Sequence, residues 1–161
     1  MKLVLALLAA SVFAQAQVAR RAPGFSLPDL QYKQYDIADF RGKVVLIDLV
    51  QTACPKCIEL TKYLTEVKTK YGDKIQVLTI VTIPDNATTV AKFISTYGVK
   101  NPVLLDCGQM IGSYLNLSPK NPSVHFPHLF VIDKAGLIRR ELDDTTINLA
   151  NVVGAVEAAL K

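Results

Sequence analysis

The sequence predicts an α/β domain with a central mixed β-sheet flanked by helices on both faces. Three observations predict it. Apolar runs of strand length alternate with amphipathic helical stretches through the middle of the chain. A strand–turn–strand pattern and one last helix then close it. The 161 residues are half hydrophobic and one fifth charged, and they show no internal repeat, low-complexity tract or linker, which suits one packed domain.

Taken in order, residues 22–28 (Ala-Pro-Gly-Phe-Ser-Leu-Pro) are extended and turn-rich. Residues 34–37 form a short strand, followed by a turn at Phe40-Arg41-Gly42-Lys43. Residues 44–50 read as a buried strand, apolar except for Asp48. Residues 55–71 form an amphipathic helix, with Leu60, Tyr63, Leu64, Val67 and Tyr71 on one face and Gly72 ending it. A second buried strand covers 75–83, and a helix covers 88–97 with Gly98 as its stop. A strand at 102–106 and a short helix at 109–115 follow. Strands at 129–133 and 137–142 pair around Lys134-Ala135-Gly136, and a helix spans 146–160.

Residues 1–16 read as an address rather than part of the fold. Lys2 gives a positive start, and an apolar run from Leu3 to Ala14 is broken only by Ser11. Ala14-Gln15-Ala16 has the small-x-small form of a signal-peptidase site. The run is shorter than the ~20 residues that cross a bilayer. The expected division is a signal peptide at 1–16 and one domain at 17–161, placing the mature protein outside the cytosol, in a periplasmic or other extracytoplasmic space. There, cysteine pairs can persist as disulfides.

Composition narrows the function. Three cysteines are too few for a disulfide-built scaffold. The net charge of +4 is mild, and no Lys/Arg block interleaved with aromatics marks a nucleic-acid surface. The informative feature is Cys54-Pro55-Lys56-Cys57, where the 44–50 strand hands over to the 55–71 helix. Pro55 suits the first helical position, because its missing N–H would have been unpartnered there. Cys54 then sits at a helix N-terminus, whose free N–H groups and positive dipole end favour a thiolate. In such settings thiol pKa values fall from ~8.5 into the range ~3.5–7.5. Lys56 adds positive charge nearby. Cys57, three residues on and deeper, is close enough to close a disulfide with Cys54, which casts Cys54 as attacking and Cys57 as resolving. Zinc wants four ligands, and only Cys107, His125 and His128 remain to complete a site, so no metal and no cofactor is expected. Asp48 is costly to bury within Val-Val-Leu-Ile-Asp-Leu-Val, and desolvation should raise its pKa and fit it to accept a proton. The alternative for Asp48 is a strand-end carboxylate turned to solvent.

Residues 42–57, from Gly42-Lys43-Val44 through Asp48 to Cys54-Pro55-Lys56-Cys57, resemble the active-site strand and turn of thioredoxin-like proteins. Ala22-Pro23-Gly24-Phe25-Ser26-Leu27-Pro28-Asp29-Leu30 and Phe40-Arg41-Gly42-Lys43 resemble the exported TlpA-type branch, which is grouped with the redoxins (alkyl hydroperoxide reductase/thiol-specific antioxidant). The resemblance covers nearly all of 22–160. It implies a thioredoxin-like fold with an N-terminal strand extension, and Asp48 as the buried acid relaying the Cys57 proton through water. His125-Phe126-Pro127-His128 resembles the cis-proline segment, which implies a cis bond at Pro127 beside the disulfide. It also implies that the Phe126 backbone pairs with substrate chains, with Pro55 and Lys56 at the same contact. The chain departs from the pattern in three places. It has no Trp, so Ala53 precedes the first Cys; Phe126 is bulky; and the basic partner of the acid has no clear counterpart in 75–83.

The expected function is thiol–disulfide exchange with partner proteins bearing disulfides or thiols, by a monomer supplied with electrons from a donor at the membrane. Two alternatives remain. A Sco-like copper carrier would use both cysteines and His125, although such carriers usually separate the cysteines by three residues. A thiol peroxidase would need a Thr three residues before its Cys, whereas Thr52 is two before Cys54. Cys107 reads as a small buried hydrophobe, with a regulatory or intermolecular thiol as the alternative.

Overall fold

The structure is a computed structural model that describes residues 19–161; the signal segment expected at 1–16 lies outside the described residues. Strands are β1 (Arg20–Arg21), β2 (Ser26–Pro28), β3 (Gln34–Asp36), β4 (Val44–Val50), β5 (Ile75–Thr82), β6 (Val103–Asp106), β7 (His128–Ile132) and β8 (Leu137–Leu142). Helices are α1 (Pro55–Tyr71), α2 (Ala87–Tyr97), α3 (Gln109–Tyr114) and α4 (Leu149–Leu160). The main sheet runs β1-β8-β7-β4-β5-β6, and β2 and β3 form a separate antiparallel pair.

β4 is central, parallel to β5 and antiparallel to β7. It is buried along its whole length, which explains why its run is apolar apart from Asp48. β4, β5 and β6 are successive parallel neighbours. Right-handed crossovers therefore place α1 and α2 on the same face. Val44 and Leu46 pack there against Leu60, Leu64 and Val67 of α1 and Val152 and Val156 of α4. Each such fully buried side chain is worth about 1.5–3 kcal/mol. Val45, Ile47 and Leu49 point to the other face, against Met110, Ile111 and Tyr114 of α3, Leu27 and Tyr35 of the β2–β3 pair, and Phe25 just before β2. The mixed sheet with helices on both faces and an N-terminal strand extension is as the sequence predicts.

Boundaries shift where side chains compete for backbone groups. Asp36 accepts from the Ala38 N–H, so Ile37 begins a 3-10 turn instead of extending β3. β5 stops at Thr82, and Ile83 beyond it is 75% exposed before Pro84, which has no N–H to give. Asn86 caps α2 and, with Thr89, closes a capping box, so the helix begins at Ala87. The last helix starts at Leu149 rather than 146. The Asp143 carboxylate accepts from the Thr145 and Thr146 N–H groups and folds them into a turn, and Asn148 supplies the cap. Positive φ falls on Gly72 and Gly98 where α1 and α2 end, a geometry an L side chain resists.

Candidate active site

The site lies beyond the C-terminal end of β4, where the chain turns through residues 51–53 into α1. Cys54 is the N-cap of α1 and Pro55 opens the helix. Cys54 and Cys57 form a disulfide with a Cα–Cα distance of 5.2 Å. The two sulfurs are not equivalent. Cys57 is fully buried against Val50, Val81, Val90 and Phe93, whereas Cys54 is half-buried at the rim. The Cys57 N–H points at Cys54 Sγ, 3.2 Å away. An amide aimed at that sulfur, together with the helix N-terminus, stabilises negative charge on Cys54 when the bond is open.

The peptide bond between Phe126 and Pro127 is cis, as the resemblance implied. The Phe126 carbonyl oxygen lies 3.9 Å from Cys54 Sγ, and Pro127 is buried behind it. The cis-proline loop thus presents a backbone carbonyl to the more accessible sulfur. Opposite, the loop following β5 holds the turn in place. Asp85 accepts from the Thr52 N–H at 2.8 Å, from the Thr52 hydroxyl, and from the Thr89 hydroxyl at 2.9 Å. The Thr52 hydroxyl is therefore engaged with Asp85, not turned to Cys54 as a peroxide-activating group would be.

Lys56 contacts a residue far along the chain. Its ammonium donates to the Asp144 carbonyl at 3.0 Å and lies 3.4 Å from the Asp144 carboxylate, in an exposed pair. Its charge is shared with Asp144. Pro55 is exposed beside it. His125 is exposed and lines a groove with His128, Glu141 and Asp144; His128 Nε2 lies 2.7 Å from Glu141. Among the described residues, no cluster of three His, Cys, Asp or Glu side chains is placed to hold a metal ion.

Asp48 is fully buried, not turned to solvent. In a strand, alternate residues share a face, so Asp48 lies with Leu46 and Val50 on the α1 side. Its row is bracketed by Leu46 and Val77 under Leu60 and Leu64, and by Val50 and Val81 under Cys57. The carboxyl therefore lies beneath the first turns of α1. Burial pushes its pKa up to about 8, opposed only in part by a hydrogen bond from Thr79. Oδ1 has no hydrogen-bond partner.

Cys107 corrects the sequence expectation. It is an exposed free thiol, not a buried hydrophobe, because it follows the last residue of β6 and leaves the sheet before Gly108 turns into α3. Sequence reasoning missed Thr79, Asp85, Asn101 and Asp144. Only the β4–β5 register and the loop contacts bring them to the site, and no linear motif marks them.

An α/β sheet with a Cys-x-x-Cys disulfide opening the helix after its central strand, and a cis-proline loop beside it, defines the thioredoxin-fold class. The chain belongs to the Redoxin family, whose model matches residues 17–153. It is 29% identical over 126 residues to the thiol-disulfide oxidoreductase ResA of Bacillus thuringiensis (strain Al Hakam), covering 78% of this chain and 69% of that protein. A ResA of Bacillus cereus is 30% identical over 123 residues, covering 76% and 67%. Among solved structures, a thioredoxin-family thiol:disulfide interchange protein from Chlorobium tepidum TLS superposes with a TM-score of 0.77 at 20% identity, covering 90% of this chain and 99% of that one. A secreted disulfide oxidoreductase from Mycobacterium tuberculosis gives 0.66 at 18% identity, covering 83% and 95%. The enzyme class is thiol–disulfide oxidoreductase.

Proposed function

We propose that the protein works outside the cytosol and exchanges electrons between the Cys54–Cys57 pair and cysteines of partner proteins. The observation that carries this reading is the asymmetry of the pair: one sulfur at the rim beside a backbone carbonyl, the other sealed in the core. In the reducing direction, the Cys54 thiolate attacks a target disulfide, forms a mixed disulfide and releases one target thiolate. Asp48 takes the Cys57 proton. The Cys57 thiolate then attacks Cys54 Sγ, which closes the internal disulfide and frees the second target thiolate. Two electrons pass to the target, and a donor, which we place at the membrane, restores the dithiol. The Phe126 carbonyl receives the backbone of an extended target strand, with Pro127, Pro55 and Lys56 flanking it.

Export rests on the residue pattern of 1–16 and on the secreted Mycobacterium relative. Disulfide exchange with insulin or a small dithiol tests the chemistry. The rate should survive Cys107→Ala and vanish in Cys54→Ser, while Cys57→Ser should accumulate mixed disulfides. Peroxide turnover without a disulfide substrate, or Cu(I) uptake lost in His125→Ala, would replace this reading with the peroxidase or the copper carrier. The reduction potential fixes direction: about −120 mV marks an oxidant and about −270 mV a reductant.

A further inference from the structure

Three groups form a hydrogen-bonded chain from the surface to the buried acid. Asn101 follows α2, half-buried in a shallow groove beside Leu30 and Ile94. Its side-chain amide donates to Thr79 Oγ1 at 2.8 Å and to the Pro102 carbonyl at 3.3 Å. Thr79 Oγ1 donates to Asp48 Oδ2 at 3.2 Å. The backbone holds this line in place, because Thr79 pairs with Asp48 across β4–β5 and its N–H donates to the Pro102 carbonyl at 3.0 Å.

The chemistry of the three groups fixes the direction of the chain. An amide NH₂ can only donate, so the Thr79 oxygen accepts from Asn101. A hydroxyl has one proton, and that proton is then committed to Asp48 Oδ2. Oδ2 is held as an acceptor. A proton on this carboxyl belongs on Oδ1, the oxygen without a partner.

We propose that Thr79 and Asn101 are positioning residues for the Cys57 proton acceptor, orienting Asp48 so that Oδ1 takes up and releases the proton. This rests on the exchange mechanism proposed above. From β5, Thr79 faces Asp48; from β7, its register partner is Leu129; from α1, Cys57 and Leu60 lie above its row, with Val90 and Phe93 of α2 beside Cys57. Cys57 is the one titratable group of this set, and among the described residues no ion pair includes Asp48. The proton affinity of the acid is thus set by burial against a single donor, and that donor is oriented by Asn101.

Infrared titration of the full chain gives a direct readout, with the protonated-carboxyl band assigned by its loss in Asp48→Asn. Thr79→Val removes the donor to the charged form. The Asp48 midpoint should rise by about one pH unit, a tenfold gain in proton affinity, and the alkaline limb of the exchange rate should move with it. Thr79→Ser keeps the hydroxyl and should hold the midpoint near that of the parent protein. Asn101→Ala frees the hydroxyl to turn away and should shift the midpoint in the same direction by less. An unchanged midpoint in either folded variant, or a shift in Thr79→Ser as large as in Thr79→Val, overturns the proposal. If Thr79→Val does not fold, Asn101→Ala decides alone. Full exchange activity in Cys54→Ser would defeat the exchange mechanism instead, and the infrared midpoints would still report on the hydrogen-bond chain.

Discussion

Two carboxylates, Asp48 in the middle of β4 and Asp133 at the β7–β8 turn, are both buried, and their environments drive them in opposite directions. Asp48 has one hydrogen bond and an oxygen with none. Asp133 accepts from the Ala135 and Leu137 N–H groups, both at 2.9 Å, and from Arg139 Nε at 2.6 Å. Burial works to raise the pKa of Asp133. The Leu137 N–H, the Arg139 guanidinium and the Ala135 N–H outweigh it and hold the carboxyl below the ordinary range. Burial alone does not raise a carboxyl pKa; burial with donors withheld does. The satisfied acid closes a hairpin, and the unsatisfied one is free to take a proton near neutral pH.

The largest expected effect tests the unsatisfied acid. Asp48→Asn should slow exchange by roughly 10²-fold and abolish the limb of the pH profile near pH 8. The same variant should change stability in a way that fixes the sign of the shift. The folded-state pKa of Asp48 lies above its unfolded value, so its contribution to stability is fully present below pH 4 and is lost as pH rises to about 8. Urea unfolding should show Asp48→Asn gaining on the parent protein across that window, by on the order of 3–4 kcal/mol at pH 7. A gap that does not widen with pH would remove Asp48 as the buried titrating group.

Asp133→Ala should do the reverse: lose about 1–3 kcal/mol at neutral pH and leave the exchange rate unchanged. Its folded pKa is lowered, so its stabilising contribution is present above pH 4 and disappears as pH falls through the folded value. The deficit of the variant should shrink in acid. Arg139→Ala, whose side chain is 48% exposed, should cost only about 0.5 kcal/mol. Smallest of all, Asp144→Ala releases Lys56 from an exposed pair and should change the exchange rate by less than about threefold. A larger change would support the sequence expectation that the Lys56 charge acts at Cys54.

The contrast between the two acids also marks how far the sequence could be read. Asp48, Cys54 and Cys57 were legible because they are local: an acid inside an apolar strand and a Cys pair at a strand–helix boundary need no tertiary information. The sheet and its helices were legible from periodicity. Thr79, Asn101 and Asp85 were not, because a threonine in a strand or an asparagine in a loop is ordinary until register places it against a carboxylate. Lys56 was legible as a charge but not as a partner of Asp144, which is far along the chain. Cys107 was misjudged on average behaviour; its exposure depends on where β6 ends, and strand ends are set by pairing with β5.

The rim of the main sheet carries one more consequence. The outermost strand beside β8 is Arg20–Arg21, only two residues long. A border two residues long offers an incoming strand little ladder. The main sheet is thereby guarded at this edge against adding a strand from another copy of the same chain.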